Sequence, residues 1–172
     1  MLEEKNINNG MKLITIKIRG FKDKICGILL SEDNDWYVVL YNEVDFVLNG
    51  VLFVQKKHVI CLKTISHDDL LYRILYLKFL KLPYSYKDIN VKDIILSSIN
   101  TKELIGITCH KENSMYVGHI EKMNKKSFVL MLYSVTAKPL YISNIKLEKV
   151  RYFSVKTDYL DSLKLYINSV LS

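Results

Sequence analysis

The sequence predicts a mainly β (α+β) protein built from two tandem small antiparallel barrels, each followed by an α-helix. Short apolar runs separated by polar turns recur along the chain, which is typical of small β domains. The glycine-led pattern of the first half returns in the second, and each half ends in a helical pattern. With 172 residues, 49% of them hydrophobic, the chain can bury the cores of one large or two small domains.

Five strands are predicted in the first half, each as a short apolar run between polar turns. The run WYVVLY at 36–41 is apolar on both faces, which is typical of a central strand covered on each side. The pair Asn49-Gly50 predicts a hairpin turn, because both positions accept positive φ. The predicted strands of this half are 11–18, 25–31, 36–41, 45–54 and 58–65.

A helix is predicted to follow over residues 67–82. Ser66 and Asp69 form a start that is similar to a capping box, and Pro83 marks the exit. The apolar side chains between them cover nearly the whole circumference, so the helix needs cover on more than one side. We therefore expect this helix to be buried where the two barrels meet.

The second half shows the same order of strands followed by a helix. A connector at 83–102 precedes it and contains a short predicted helix at 91–99. A helix at 158–170, capped by Thr157 or Asp158, closes the chain. The predicted strands of this half are 103–110, 114–123, 127–135, 139–143 and 145–155.

Matching segments in the two halves indicate an internal repeat. GIL at 27–29 corresponds to GHI at 118–120, and WYVVLY at 36–41 corresponds to FVLMLY at 128–133. Two copies of a short-stranded unit account for the chain length better than one large sheet. The predicted segments are a first barrel with its helix at 11–82, the connector at 83–102, and a second barrel with its helix at 103–172.

Five residues of the first half carry a family resemblance: Gly27, Leu29, Asp33, Trp36 and Leu40. Their spacing resembles the first signature of the Sm-like family, whose members are strongly bent five-stranded barrels that bind uridine- or adenine-rich RNA as rings. The stretch KHV at 57–59 is similar to the Lys-His-Ala of the second signature in the bacterial Sm-like RNA chaperone. The resemblance covers roughly residues 12–65, and it implies an Sm-like barrel with an RNA-binding surface.

A wider pattern runs from Trp36 through DFVLNG at 45–50 to Lys56 and Lys57. It is similar to a set of uncharacterised bacterial proteins with tandem barrels. This likeness implies the tandem architecture and supplies no activity.

The formal net charge of +7 at pH 7 favours a nucleic acid or an acidic protein as the partner. Nearly all of the positive charge is lysine, which contacts phosphate as a point charge rather than through the bidentate fork of arginine. Lysines cluster in the turn after the fourth strand and in the matching region of the second half, and an aromatic ring beside Trp36 could stack on bases. The candidate nucleic-acid or partner-binding residues are Lys56, Lys57, His58, Tyr37, Lys122, Lys125 and Lys126.

No arrangement of residues in the sequence indicates catalysis. The acidic residues at 32–35 fall in a predicted exposed turn, where nothing would force their pKa values apart. His67 and His119 have no neighbouring nucleophile in the spacing of a triad, and the six glycines form no phosphate-binding loop. The three cysteines lie far apart, without the spacing of a metal site. We therefore expect a protein that is not an enzyme and has no cofactor and no metal.

The sequence thus predicts a non-catalytic macromolecule-binding module, with RNA or single-stranded nucleic acid as the favoured partner. The alternative is a protein-binding module, such as an immunity or adaptor protein, because the 12 tyrosines suit a protein interface. The start of the chain lacks the pattern of a secretory signal, and the longest apolar stretch is interrupted by charges, so we expect a soluble cytoplasmic protein with no membrane partner. A second barrel in the same chain would cover the apolar helix, which predicts a monomer or a modest dimer rather than a large ring.

Overall fold

The computed structural model describes residues 10–82, 90–112 and 114–171 of the chain. Within these ranges there are ten β-strands and three α-helices. The N-terminal half contains β1 Lys12–Ile18, β2 Lys24–Glu32, β3 Trp36–Val44, β4 Val47–Gln55, β5 Val59–Thr64 and α1 Leu70–Leu80. The C-terminal half contains α2 Val91–Thr101, β6 Ile105–Thr108, β7 Met115–Met123, β8 Ser127–Tyr133, β9 Pro139–Lys146, β10 Tyr152–Val155 and α3 Asp158–Leu171.

The ten strands form one continuous sheet in the order β5-β1-β2-β3-β4-β10-β6-β7-β8-β9, and each neighbouring pair is antiparallel. The expectation of a mainly β protein is therefore confirmed. The prediction of two closed tandem barrels, each followed by a helix, is wrong. Closing the first barrel would require β4 to bond to β5, but β4 bonds to β10, and β5 and β9 lie at the two ends of an open sheet.

The pairing of β4 with β10 joins the two halves. Phe53 lies opposite Phe153, and the amide of Gln55 donates to the carbonyl of Arg151 at 2.9 Å. The Phe153 ring is fully buried, with its centroid 5.3 Å from that of Trp36 and 5.8 Å from that of Phe128. Because these rings come from both halves, the largest buried cluster is a core that the halves share.

The hairpin turn between β3 and β4 lies at residues 45–46, so the prediction of a turn at Asn49-Gly50 is wrong. Asp45 adopts the positive φ of 46° that this turn needs. Gly50 also has positive φ, 74°, but inside β4, where an added Cβ would lie 2.5 Å from the carbonyl oxygen of Val155. Asn49 uses its side-chain oxygen to accept the amide of Asp158 at 2.8 Å, at the start of α3. Asn49 and Gly50 therefore contribute to the contact between the two halves: Asn49 accepts a hydrogen bond, and Gly50 allows the backbone to approach closely.

Helix α1 begins later than predicted, because Asp69 rather than Ser66 provides the cap. The Asp69 carboxylate accepts the amide of Leu71 at 2.8 Å. The helix buries Tyr72 and Leu75 against the shared core, whereas three of its leucines are exposed. The expected burial on more than one side is thus not observed, and Pro83, the predicted exit, lies outside the described residues. The exposed leucines are Leu70, Leu77 and Leu80.

The other predicted helices are present. Helix α2 starts at the Asn90 cap, and the Ser98 hydroxyl, on its buried side, accepts the amide of Ile120 on β7 at 2.9 Å. The strand predicted at 145–155 is instead divided by a single turn of 3-10 helix at Leu147–Lys149, and a matching turn at Lys56–His58 separates β4 from β5. None of the described helices has the length and apolar character required to cross a membrane.

Candidate functional site

Loops from both halves meet beside the junction of the sheet and enclose a cleft of about 730 Å³. Lys57 reaches it from the 3-10 turn after β4, and Lys125 and Lys126 reach it from the turn between β7 and β8. Lys146, at the end of β9, adds a fourth lysine. We call this site the lysine cleft. Its lining residues are Asp35, Trp36, Gln55, Lys57, Lys125, Lys126, Ser127, Asn144, Lys146, Leu147 and Glu148.

Two turns of the same design position the cleft residues. In the N-terminal half, the Asp33 carboxylate accepts the amides of Asp35 at 2.8 Å and Trp36 at 2.7 Å. In the C-terminal half, the Asn124 side chain accepts the amides of Lys126 at 2.9 Å and Ser127 at 2.8 Å. In each turn, a side-chain oxygen thus accepts the hydrogen bonds that a backbone carbonyl would accept in an ordinary turn. Asp33 has a structural role in the first turn, and the second turn presents two lysines to the cleft.

The charge balance of the cleft lining is positive. Four lysines face it, against the two carboxylates of Asp35 and Glu148. None of the four lysines forms an ion pair with another residue in the described ranges. Lysines without a carboxylate partner keep their charge available for an anion, so the cleft can bind a phosphate or carboxylate group of a ligand.

An apolar compartment of about 530 Å³ adjoins the lysine cleft. The two spaces share Asp35, Trp36 and Leu147, and Met123 also contributes to the apolar one. Helix α2 forms one side of it with residues Val91, Lys92, Ile95, Leu96 and Ile99. A ligand with an anionic group next to an apolar group would fit the combined site.

Two of the predicted site residues, Lys56 and Tyr37, contact each other rather than the cleft. The ammonium group of Lys56 lies 4.5 Å from the centroid of the Tyr37 ring and 2.6 Å from a carboxylate oxygen of Glu32. The hydrogen bond with Glu32 raises the pKa of Lys56. One face of the Tyr37 ring is therefore taken by a cation, and Trp36 is buried in the shared core. Trp36 therefore exposes too little surface to stack on a base, and the half-buried Tyr37 has a lysine on one of its two faces.

His58 lies in a joint between the halves. Its Nε2 is 3.0 Å from the carbonyl oxygen of Glu148, and its Nδ1 is contacted by the Arg151 guanidinium. Because arginine can only donate, Nδ1 is the acceptor and Nε2 carries the proton that is donated to Glu148. Burial, and then the charge of Arg151, lower the pKa of His58. The imidazole is therefore held neutral as a structural link.

Because the imidazole of His58 is held neutral, we expect the free energy of unfolding to decrease in mild acid. The unfolded chain takes up a proton on His58 near its ordinary pKa of about 6.5, while the folded chain resists it because its pKa is lower. Stability is therefore fully present above that value and declines as the pH falls below it. Urea unfolding at pH 7.5 and pH 5.5 measures the decline. The His58→Gln variant, which does not titrate, should lose less stability between these two pH values, and an equal loss would contradict the role of His58.

The remaining predicted residue, Lys122, lies on β7 opposite Val129 and does not line the cleft. Sequence reasoning missed Lys146 and Asn144, which line the cleft from β9. The sequence held a signal for Lys146, since it directly precedes Leu147–Lys149, the segment that corresponds to Lys56–His58 in the repeat. Arg151 was also missed, because its contact with His58 spans 93 residues.

Titratable side chains also lie outside the lysine cleft, in the described ranges. No set of three or more histidine, cysteine or acidic residues is positioned there to hold a metal ion. Burial raises the pKa of the Cys109 thiol, which favours its unreactive form. His119 contacts Glu121 at 2.7 Å, and Lys102 contacts the same carboxylate at 3.0 Å. These contacts, that of Lys102 first, lower the pKa of Glu121, so this carboxylate stays ionised.

Comparison of the chain with models of known protein families, with curated proteins and with solved structures found no match.

Proposed function

We propose that the protein is a non-catalytic nucleic-acid-binding module that holds RNA or another single strand by its phosphates in the lysine cleft. The observation that carries this proposal is the convergence of Lys57, Lys125 and Lys126, from two halves of the chain, on one cleft. Lysines that face each other across a cleft attract successive phosphates of a strand and release the counterions of that strand.

The composition of the cleft bears on its specificity. Among the residues that the structure describes, the cleft lining contains lysine but no arginine, whose bidentate fork would suit the reading of base edges. Lysines bind phosphate as point charges, and binding should therefore depend little on sequence. The apolar compartment beside the cleft gives space for a base whose phosphate is bound by the lysines.

Salt dependence tests this function. With three phosphate contacts to a single strand, the slope of log affinity against log salt concentration is expected to be about −2, because each contact contributes about −0.7. Fluorescence anisotropy with labelled oligouridine and oligoadenine, in a salt series, measures the slope. Undetectable binding at low salt, or a slope near zero, would rule the function out.

A second candidate function, a protein-binding module, is favoured by an apolar surface around α3. Val135, Tyr159 and Tyr166 line one shallow groove on this surface, and Val170 lies in the next. Val135 is 84% exposed, and Tyr159, Tyr166 and Val170 are exposed as well. Exposed aromatic and aliphatic residues in one patch are typical of protein interfaces. Pull-down with and without nuclease separates the two functions, since a protein partner, including an acidic one, would remain after nuclease treatment.

A further inference from the structure

The two outermost strands of the sheet, β5 and β9, each have one side to which no strand of the described residues is bonded. Residues 60–64 of β5 are all exposed, as are Asn144 and Lys146 of β9. By contrast, residues 50–55 of β4 and residues 153–155 of β10 are buried where those strands pair. Unpaired strand edges of this kind are ready sites for pairing with another strand.

When the two halves are compared, β5 of the N-terminal half is the counterpart of β10 of the C-terminal half. Strand β5 bonds to β1 with Leu62 opposite Ile16, and β10 bonds to β6 with Phe153 opposite Ile107. Each of the two strands follows a single turn of 3-10 helix, Lys56–His58 before β5 and Leu147–Lys149 before β10. Counted from these turns, Leu62 and Phe153 hold the same position.

In the same comparison, β9 of the C-terminal half is the counterpart of β4 of the N-terminal half. Gln55 lies opposite Trp36 at the start of β3, and Lys146 lies opposite Ser127 at the start of β8. Two residues earlier, Phe53 of β4 and Asn144 of β9 therefore hold the same position.

The main chain at both edges faces outward at the corresponding positions. The amide of Leu147 donates to the carbonyl of Lys126, the residue before β8, so by the alternation of an antiparallel ladder Asn144 turns its amide away from β8. The amide of Ile65 donates to Leu13 on β1, so Leu62 turns its amide away from β1. Phe53 and Phe153, in the corresponding positions, lie opposite each other where β4 pairs with β10.

We propose that β9 of one copy of this chain pairs antiparallel with β5 of a second copy, in the register by which β4 pairs with β10. Leu62 then lies opposite Asn144, as Phe153 lies opposite Phe53. The contact is head to tail, because it joins two different edges, β9 of one copy and β5 of the next. In this register the exposed apolar side chains of Ile60 and Leu62 on β5 lie opposite Lys146 and Asn144 of β9 and would be partly covered.

This assembly differs from the monomer or modest dimer that the sequence predicts. That prediction relied on a second barrel in the same chain to cover the apolar helix, and it did not consider the strand edges. In the structure the halves are joined edge to edge and leave one edge of each kind without a bonded strand among the described residues. The inference does not rest on the proposed function, because assembly can be measured without nucleic acid.

Two proline variants test the proposal. Asn144→Pro and Leu62→Pro each remove one outward amide without removing an amide bonded to the neighbouring strand of the same copy. Light scattering should give a mass well above 20.1 kDa for the unmodified chain and 20.1 kDa for each variant alone. An equimolar mixture of the two variants should form a dimer, because one supplies an intact β5 and the other an intact β9.

The dimer in the mixture also shows that both variants are folded. Asn144→Ala and Leu62→Ala, which keep the amides, are the matched controls and should assemble as the unmodified chain does. An unmodified chain that stays at 20.1 kDa at all concentrations would overturn the proposal. So would proline variants that still assemble alone, or a mixture that stays monomeric while the unmodified chain assembles.

Discussion

Replacing Lys57, Lys125 and Lys126 together by glutamate is expected to weaken binding to a single-stranded oligonucleotide by about a hundredfold at low salt. An exposed ionic contact contributes up to about 1 kcal/mol, and a loss of about 3 kcal/mol corresponds to roughly a hundredfold in affinity. Repulsion from the new carboxylates acts in the same direction. Anisotropy titration with oligouridine, under the conditions used for the unmodified chain, measures the change.

A matched control separates the cleft from the net charge. Lys12, Lys24 and Lys111 are exposed and do not line the cleft, and their replacement by glutamate changes the net charge by the same amount. This control variant should lose much less affinity than the cleft variant. If the two variants lose affinity equally, the lysine cleft is not the binding site, and the positive charge acts only through the whole surface.

The Phe153→Ala variant is expected to lose about 3–5 kcal/mol of unfolding free energy. The Phe153 ring is fully buried and contacts rings from both halves, so its removal leaves a cavity where β4 and β10 join. A loss of this size is a large part of the about 5–15 kcal/mol that stabilises a typical domain. It should affect both halves, because the core is shared.

Urea unfolding followed by circular dichroism and by the fluorescence of Trp36 measures this effect. Trp36 is the single tryptophan, and it lies at the junction in the N-terminal half. Both signals should shift together to lower urea concentration in the Phe153→Ala variant. Leu165→Ala, at a position 72% exposed, is the control and should change stability by less than about 0.5 kcal/mol. Two separate transitions in the unmodified chain would contradict a shared core.

The positions of most strands could be predicted from the sequence, because the apolar runs and turn residues are local signals. WYVVLY was predicted as a central strand, and β3 does lie between two strands in the middle part of the sheet, with Trp36 buried. The helices at 91–99 and 158–170 were also predicted close to their observed bounds. These features depend on neighbours within a few residues.

Strand order could not be predicted in the same way, because it depends on contacts between residues far apart in the chain. Nothing in the local pattern of β4 indicates whether its partner is β5 or β10. The Asn49-Gly50 pair is instructive, since a strong local turn signal is used here for two contacts with the region around α3. Tertiary contacts took precedence over the local preference of these residues.

The candidate site was predicted in part. The sequence comparison treats the lysines at 125–126 as the match of Lys57, but the structure places them in different turns of the repeat: the turn of Lys125 and Lys126 matches that of Asp33, and the turn of Lys57 matches Leu147–Lys149. These non-equivalent turns nevertheless meet at one cleft. Lys56 and His58 are adjacent to Lys57 in sequence, but they face other partners, because successive residues of a 3-10 turn point in different directions. Position in the sequence alone could not show that Lys57 lines the cleft while Lys56 and His58 do not.

The junction of β4 with β10 has a consequence for synthesis of the chain on the ribosome. Phe153 follows Phe53 by 100 positions, so β4 has no partner until translation has passed through β6 to β9 and reached β10. At about 5–20 residues per second, this delay is about 5–20 s. During that time β4, whose residues 50–55 become buried in the finished protein, presents a bare apolar edge to other nascent chains. We therefore expect efficient production of this protein to require binding of the nascent chain by chaperones, or slow initiation that spaces the ribosomes along the message.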